Sequence, residues 1–255
     1  MLGQLTFWGE LWVDPKTLPE YEYWLALGKQ RGHGFEQDSA KYYMTRTLLD
    51  EVLFAAGGVE AELLRLRRTT ATAQEWTDQA LREHPRSEGA LATFSGAPTL
   101  LEGYYAFTTG LWWARAVDER TDRPYKPGRH TPRSGLLPAL APGDLHDRVA
   151  AALQQLRRDL HETRLMANFA LHAGPLPGGG TPSALVRDDG RIVLRLPNKL
   201  RTRITTWEEF SYTEGRDMLT FAEGIMSQVE VFVEELLSAF EAARPLRGGP
   251  LPRFD

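Results

Sequence analysis

A chain of 255 residues that is 42% hydrophobic and 25% charged carries enough apolar material for one large core or two small ones, which excludes a disordered, collagen-like or coiled-coil array. It has no cysteine, so disulfides, thiolate nucleophiles and Cys-based zinc sites are excluded as well. Thirty basic residues against 34 acidic ones leave a formal charge of −4, far from the balance of a dedicated nucleic-acid-binding domain, so any RNA contact has to be local.

Residues 1–37 are aromatic and turn-rich (Phe7, Trp8, Trp12, Tyr21, Tyr23 and Trp24 ahead of Gly32 and Gly34) and predict an irregular arm laid over a hydrophobic surface. The N-terminus lacks the basic region and cleavage site of a signal peptide, and a cytoplasmic location is expected. From Asp38 to Arg68, residues such as Tyr42, Leu48, Val52, Leu53, Val59 and Leu63 recur at three and four positions, the pattern of an amphipathic helix, interrupted at Gly57-Gly58. Thr72 to His84 predicts a shorter, more polar helical segment closed by Pro85. A third helix is expected from about Pro98 to Asp118. The surrounding stretch from Leu91 to Ala114 has a single charge, Glu102, but its proline, glycines and hydroxyls suit a buried core helix rather than a membrane span.

Arg120 to Gly143 holds five prolines and a basic bias, too long for a mere connector. Asp144 is placed to cap a fourth helix with a stripe of Leu145, Val149, Leu153, Leu156, Leu160 and Thr163, running to about Ala173 before Gly174-Pro175. Ala184 to Leu196 predicts a β-hairpin, because Asp189-Gly190 supplies the positive φ that tight hairpin turns need. Thr205 and Thr206, with Glu208 and Glu209 at capping-box spacing, then lead into a last helix striped by Met218, Ala222, Ile225, Val229, Phe232, Leu236 and Phe240. The expected architecture is all-α: a bundle of four to five helices over residues 38–243, with a small β-hairpin (about 184–196) inserted before the last helix. An N-terminal arm (1–37) and a flexible tail (244–255) flank it.

Phosphate-binding glycine loops, His-Glu-x-x-His and Gly-x-Ser-x-Gly are absent from the sequence. No two of the six histidines stand four apart, and no metal site or cofactor is expected. The end of the fourth helix differs in kind. At about 100° per residue Arg164, Asn168 and His172 line one helix edge. A cation, an amide and an imidazole so placed suit a phosphodiester, with the imidazole exchanging a proton near neutral pH while Arg and Asn hold phosphate oxygens and a ribose 2′-OH attacks. The same spacing also describes a histidine stabilised by the helix dipole beside an Asn that satisfies nearby backbone.

The run Asn168-Phe169-Ala170-Leu171-His172 closing a long helix, followed by a Gly/Pro-rich turn, a hairpin and a long amphipathic helix, resembles the HEPN superfamily over residues 38–243. The family signature is Arg, four to six residues, then His, with a polar residue often after the Arg. The resemblance implies a four- to five-helix domain that forms homodimers and cleaves RNA without metal, in a stress, toxin or defence setting, with an antitoxin or other protein as a further partner. Asn168 and His172 match the signature, but its Arg falls on Ala167. Ala167 is either a native small residue on the packing face of a domain that has lost or never had nuclease activity, or an Arg-to-Ala replacement that silences a nuclease, and both describe a chain that is inactive as written. Arg164, about 4.5 Å too far along the axis, is the substitute at hand. Arg123, Lys126 and Arg129 in the basic loop, and Arg201 and Arg203 after the hairpin, are candidate RNA-contacting residues. The competing expectation is a non-enzymatic dimeric interaction or regulatory module that uses Trp8, Trp12 and Trp24 as anchors.

Overall fold

A computed structural model describes residues 37–83, 97–123, 135–140, 142–173, 184–186 and 190–243. The arm expected before the first helix, the tail, and Lys126 and Arg129 of the basic loop lie outside the described residues. The fold is all-α with a small β-hairpin before the last helix, as the periodicity predicts. Among the described residues there are six helices: α1 (Gln37–Glu83), α2 (Ala97–Thr121), α3 (Leu136–Ala139), α4 (Asp144–Asp159), α5 (His161–Ala173) and α6 (Met218–Ala243). The hairpin strands β1 (Ala184–Val186) and β2 (Ile192–Leu196) are antiparallel, with Leu185 opposite Val193, and Gly190 in the turn adopts φ +81°. A two-residue strand β3 (Arg216–Asp217) pairs with the other edge of β2. No described helix is long and apolar enough to cross a membrane.

Three helix boundaries differ from the sequence pattern. First, α1 runs unbroken through Gly57-Gly58 and through the polar stretch beyond Arg68. A Cβ on Gly58 would stand 2.4 Å from the Trp113 ring, so this glycine lets α2 approach rather than ending α1. The hydroxyls of Thr69, Thr70 and Thr77 each bond the carbonyl four residues back, which absorbs them into the helix. Second, the helix expected from Asp144 to Ala173 breaks between α4 and α5 at Leu160, which remains buried, so the apolar stripe continues across the break. Third, the capping-box pattern does not start the last helix. Glu209 Oε1 accepts from Thr205 N (2.8 Å), Thr205 Oγ1 (2.9 Å) and Thr206 N (2.8 Å), closing only the single 3-10 turn Trp207–Glu209. The cap of α6 is Asp217, which accepts from Leu219 N (3.1 Å) and Thr220 Oγ1 (2.9 Å).

The chain divides into two compact units: Met1–Ala55, Ala116–Arg157 and Glu230–Asp255 form one, and Ala56–Arg115 with Arg158–Val229 the other. In the first, Leu49, Val52, Val117, Leu136, Val149, Leu153, Leu236 and Phe240 are fully or almost fully buried. Arg157 bridges Asp118 (2.7 Å) and Asp122 (2.9 Å) there, a branched ion pair at the core's edge. In the second unit, Leu66, Leu111, Met166, Leu194, Leu196 and Met218 are the centre of the core. The hairpin is tied to α1 by the Gln74 side chain, which donates to Gly190 O (2.8 Å) and accepts from Ile192 N (2.7 Å). It is tied to α2 by Tyr104, whose hydroxyl donates to Arg195 O (3.2 Å).

Candidate functional site

Helix α5 packs through Thr163, Met166, Ala167 and Ala170, spaced three and four apart and all buried. Ala167, the position matching the signature Arg, is fully buried on that face. A guanidinium there would displace packed neighbours, the cost that overpacked cores carry. The alanine at 167 fits that packing face. Arg164 is exposed on α5. His172 belongs to the last turn of α5, and its side chain lies outside what the structure describes.

Asn168 is half-buried, and its Oδ1 accepts a hydrogen bond from Arg115 Nη1 at 2.7 Å. That distance is typical of a charge-assisted bond, about twice as strong as a neutral one. Arg115 comes from the C-terminal part of α2, one residue past the buried Ala114. The structure therefore sets a guanidinium against the polar edge of α5, one turn before His172. Sequence reasoning missed Arg115 because 53 positions separate it from Asn168. The only local signal is a cation inside an otherwise apolar stretch, Leu111 to Val117.

Of the expected RNA-contacting residues, Arg123, Arg201 and Arg203 are among the described ones. Arg201 and Arg203 are exposed in the second unit after β2. Arg123 is half-buried in the first, where its carbonyl accepts Gly135 N–H at 2.8 Å. A Cβ on Gly135 would stand 2.5 Å from Arg123 N and 2.8 Å from Thr121 O, so glycine lets the base of the loop close. Among the described residues no group of three or more His, Asp or Glu could hold a metal ion.

The second unit also contains an open pocket of about 730 Å³, lined in part by His161, Glu162, Lys199, Arg216, Asp217 and Gly224. Its carboxylates are largely engaged within the fold. Glu162 accepts two bonds from Arg216 (2.7 and 3.0 Å) and one from Leu200 N (2.8 Å), and Asp217 caps α6. Arg216 also donates to Pro197 O (2.9 Å) and lies 5.2 Å from the centre of the Phe221 ring. Beside β2, Arg195 donates to Tyr212 O (2.7 Å) and sits 5.4 Å from its ring. Burial pushes the Tyr212 phenol up to about 12, against the opposing pull of the Arg195 charge.

Compared with family models, with curated proteins and with solved structures, the chain matches none.

Proposed function

We propose that this chain is an HEPN-like endoribonuclease that works as a homodimer on RNA without metal, in a stress, toxin or defence role. Its phosphodiester site is built on the C-terminal half of α5, and Arg115 of α2 serves as the cation that the signature places at 167. The observation that carries this reading is the 2.7 Å bond between Arg115 Nη1 and Asn168 Oδ1, which holds a permanent positive charge beside the motif edge.

In the proposed reaction a base takes the proton of a ribose 2′-OH, O2′ attacks phosphorus, and the P–O5′ bond breaks as O5′ receives a proton. The products are a 2′,3′-cyclic phosphate and a 5′-hydroxyl end. Negative charge grows on the non-bridging oxygens during attack, where a fixed guanidinium and an amide stabilise it most. Imidazole is the side chain suited to proton transfer near neutral pH, and His172, the motif's histidine, takes that role. The test is cleavage of mixed RNA in the presence of a chelator, comparing the chain with His172→Ala. The expected result is cleavage by the chain as it stands, with 2′,3′-cyclic phosphate ends, and a loss of about 10²- to 10⁴-fold in the variant.

A second reading, the non-enzymatic dimeric module, is favoured by one specific observation. Leu101, Tyr105 and Trp112 fall within about 40° of one another on α2. They are 53%, 49% and 44% exposed, an apolar stripe of the kind that partners cover. The same preparations separate the readings. A concentration-dependent dimer that cleaves no RNA sample supports the module and overturns the nuclease.

A further inference from the structure

We propose that the open pocket of the second unit is a binding site for a nucleoside monophosphate unit, either a free nucleotide or one nucleotide of an RNA strand. About 730 Å³ of space lies within the range of small-molecule sites, and the lining combines apolar with polar and charged residues. The apolar part of the lining comes from Leu200, Phe221 and Ile225, with Gly224 beside them in the sequence of α6. Gly224 lies in the interior of α6, where glycine costs helix stability, and a Cβ built on it meets nothing within 4 Å. Packing therefore does not demand a glycine at this position. Its effect is to leave that part of the lining without a side chain, space that a planar ring system could use.

The charge of the lining selects the rest of the ligand. Glu162 is neutralised by Arg216, both Asp217 oxygens are used by the α6 cap, and Arg158 and Asp159, of opposite charge and also in the lining, each have a partner of their own. The Lys199 ammonium and the His161 ring line the same pocket, are exposed, and have no hydrogen bond or ion pair among the described residues. An ammonium and an imidazole suit a phosphate monoester or diester. The Gln228 amide, which also lines the pocket, offers a donor and an acceptor to the edge of a base. Apolar side chains, an amide and the Lys199 ammonium in one pocket together match base and phosphate in one ligand. This assignment stands apart from the cleavage chemistry, because it uses neither Arg115 nor the C-terminal end of α5.

The test is titration calorimetry of the full chain with the four ribonucleoside monophosphates, the four uncharged nucleosides, inorganic phosphate and a short oligoribonucleotide. Gly224→Phe and Lys199→Glu are titrated alongside, each checked by thermal melting. At least one nucleotide is expected to bind with a Kd below about 1 mM. Gly224→Phe, at an exposed helix position where glycine is unfavourable, is expected to melt no lower than wild type and to bind at least about tenfold more weakly. Lys199→Glu is expected to weaken the monophosphates by about tenfold and to leave the nucleosides unchanged. Tighter binding of free monophosphates assigns a nucleotide ligand, and tighter binding of the oligomer, lost in Gly224→Phe, assigns an RNA strand. No binding of nucleotide or oligomer below about 1 mM overturns the proposal. So does unchanged affinity in both variants, or inorganic phosphate binding as tightly as any nucleotide.

Discussion

Gly57 and Gly58 are neighbours in one helix, and substitution by alanine is expected to change stability in opposite directions. At Gly57 a Cβ meets nothing within 4 Å, so Gly57→Ala gains helix propensity alone, about 0.5–1 kcal/mol. At Gly58 the Cβ would stand 2.4 Å from the Trp113 ring, and Gly58→Ala is expected to lose about 1–3 kcal/mol to overpacking. Urea unfolding of the two variants checks both signs. Tyr212 gives a pH prediction. Its folded pKa is raised to about 12 from an ordinary value of 10, so folding favours the neutral phenol. That stability is fully present below pH 10 and is lost as the pH rises from there through about 12. Denaturant midpoints measured across this window are expected to fall more steeply for wild type than for Tyr212→Phe, and equal slopes would contradict the burial of the phenol. Residue patterns in the sequence placed the polar edge Arg164, Asn168 and His172 on one helix. They carried no sign of Arg115, because a contact across 53 positions leaves no periodicity behind.

At the scale of elements, the segment joining β2 to α6 is held to α5 by the Glu162–Arg216 pair, whose side chains are 12% and 19% exposed. Removing one partner of such a pair leaves the other charge half-buried and underbonded. Glu162→Ala is expected to cost about 2–3 kcal/mol and Arg216→Ala a similar amount. The double variant is expected to cost clearly less than their sum, and a thermodynamic cycle by urea unfolding measures the coupling. Strict additivity would mean that the pair does not act as a unit. The helices themselves were legible, because each buries a stripe at three- and four-residue spacing, and the hairpin was legible from Asp189-Gly190. The break at Leu160 was not, since the stripe passes through it unchanged. Strand β3 was invisible because two residues carry no alternation. The capping box at Thr205–Glu209 closes a single 3-10 turn and not α6, because hydrogen bonds over four residues do not specify how long the following helix is.

For the whole molecule, what the sequence leaves open is whether any cation stands beside the Asn168–His172 edge when position 167 is alanine. Full burial of Ala167 makes that position a packing site, and Arg115 brings a guanidinium to the motif edge from another helix. In the proposed function Arg115 supplies the charge for RNA cleavage. Its most direct test is the initial rate of RNA cleavage, in chelator, by Arg115→Ala relative to wild type, with Arg115→Lys as the variant that keeps the charge and loses the planar fork. The account predicts a loss of about 10²-fold or more for Arg115→Ala, partial recovery in Arg115→Lys, and folded proteins by circular dichroism in both cases. An undiminished rate in folded Arg115→Ala, or no cleavage by the wild-type chain, would contradict it.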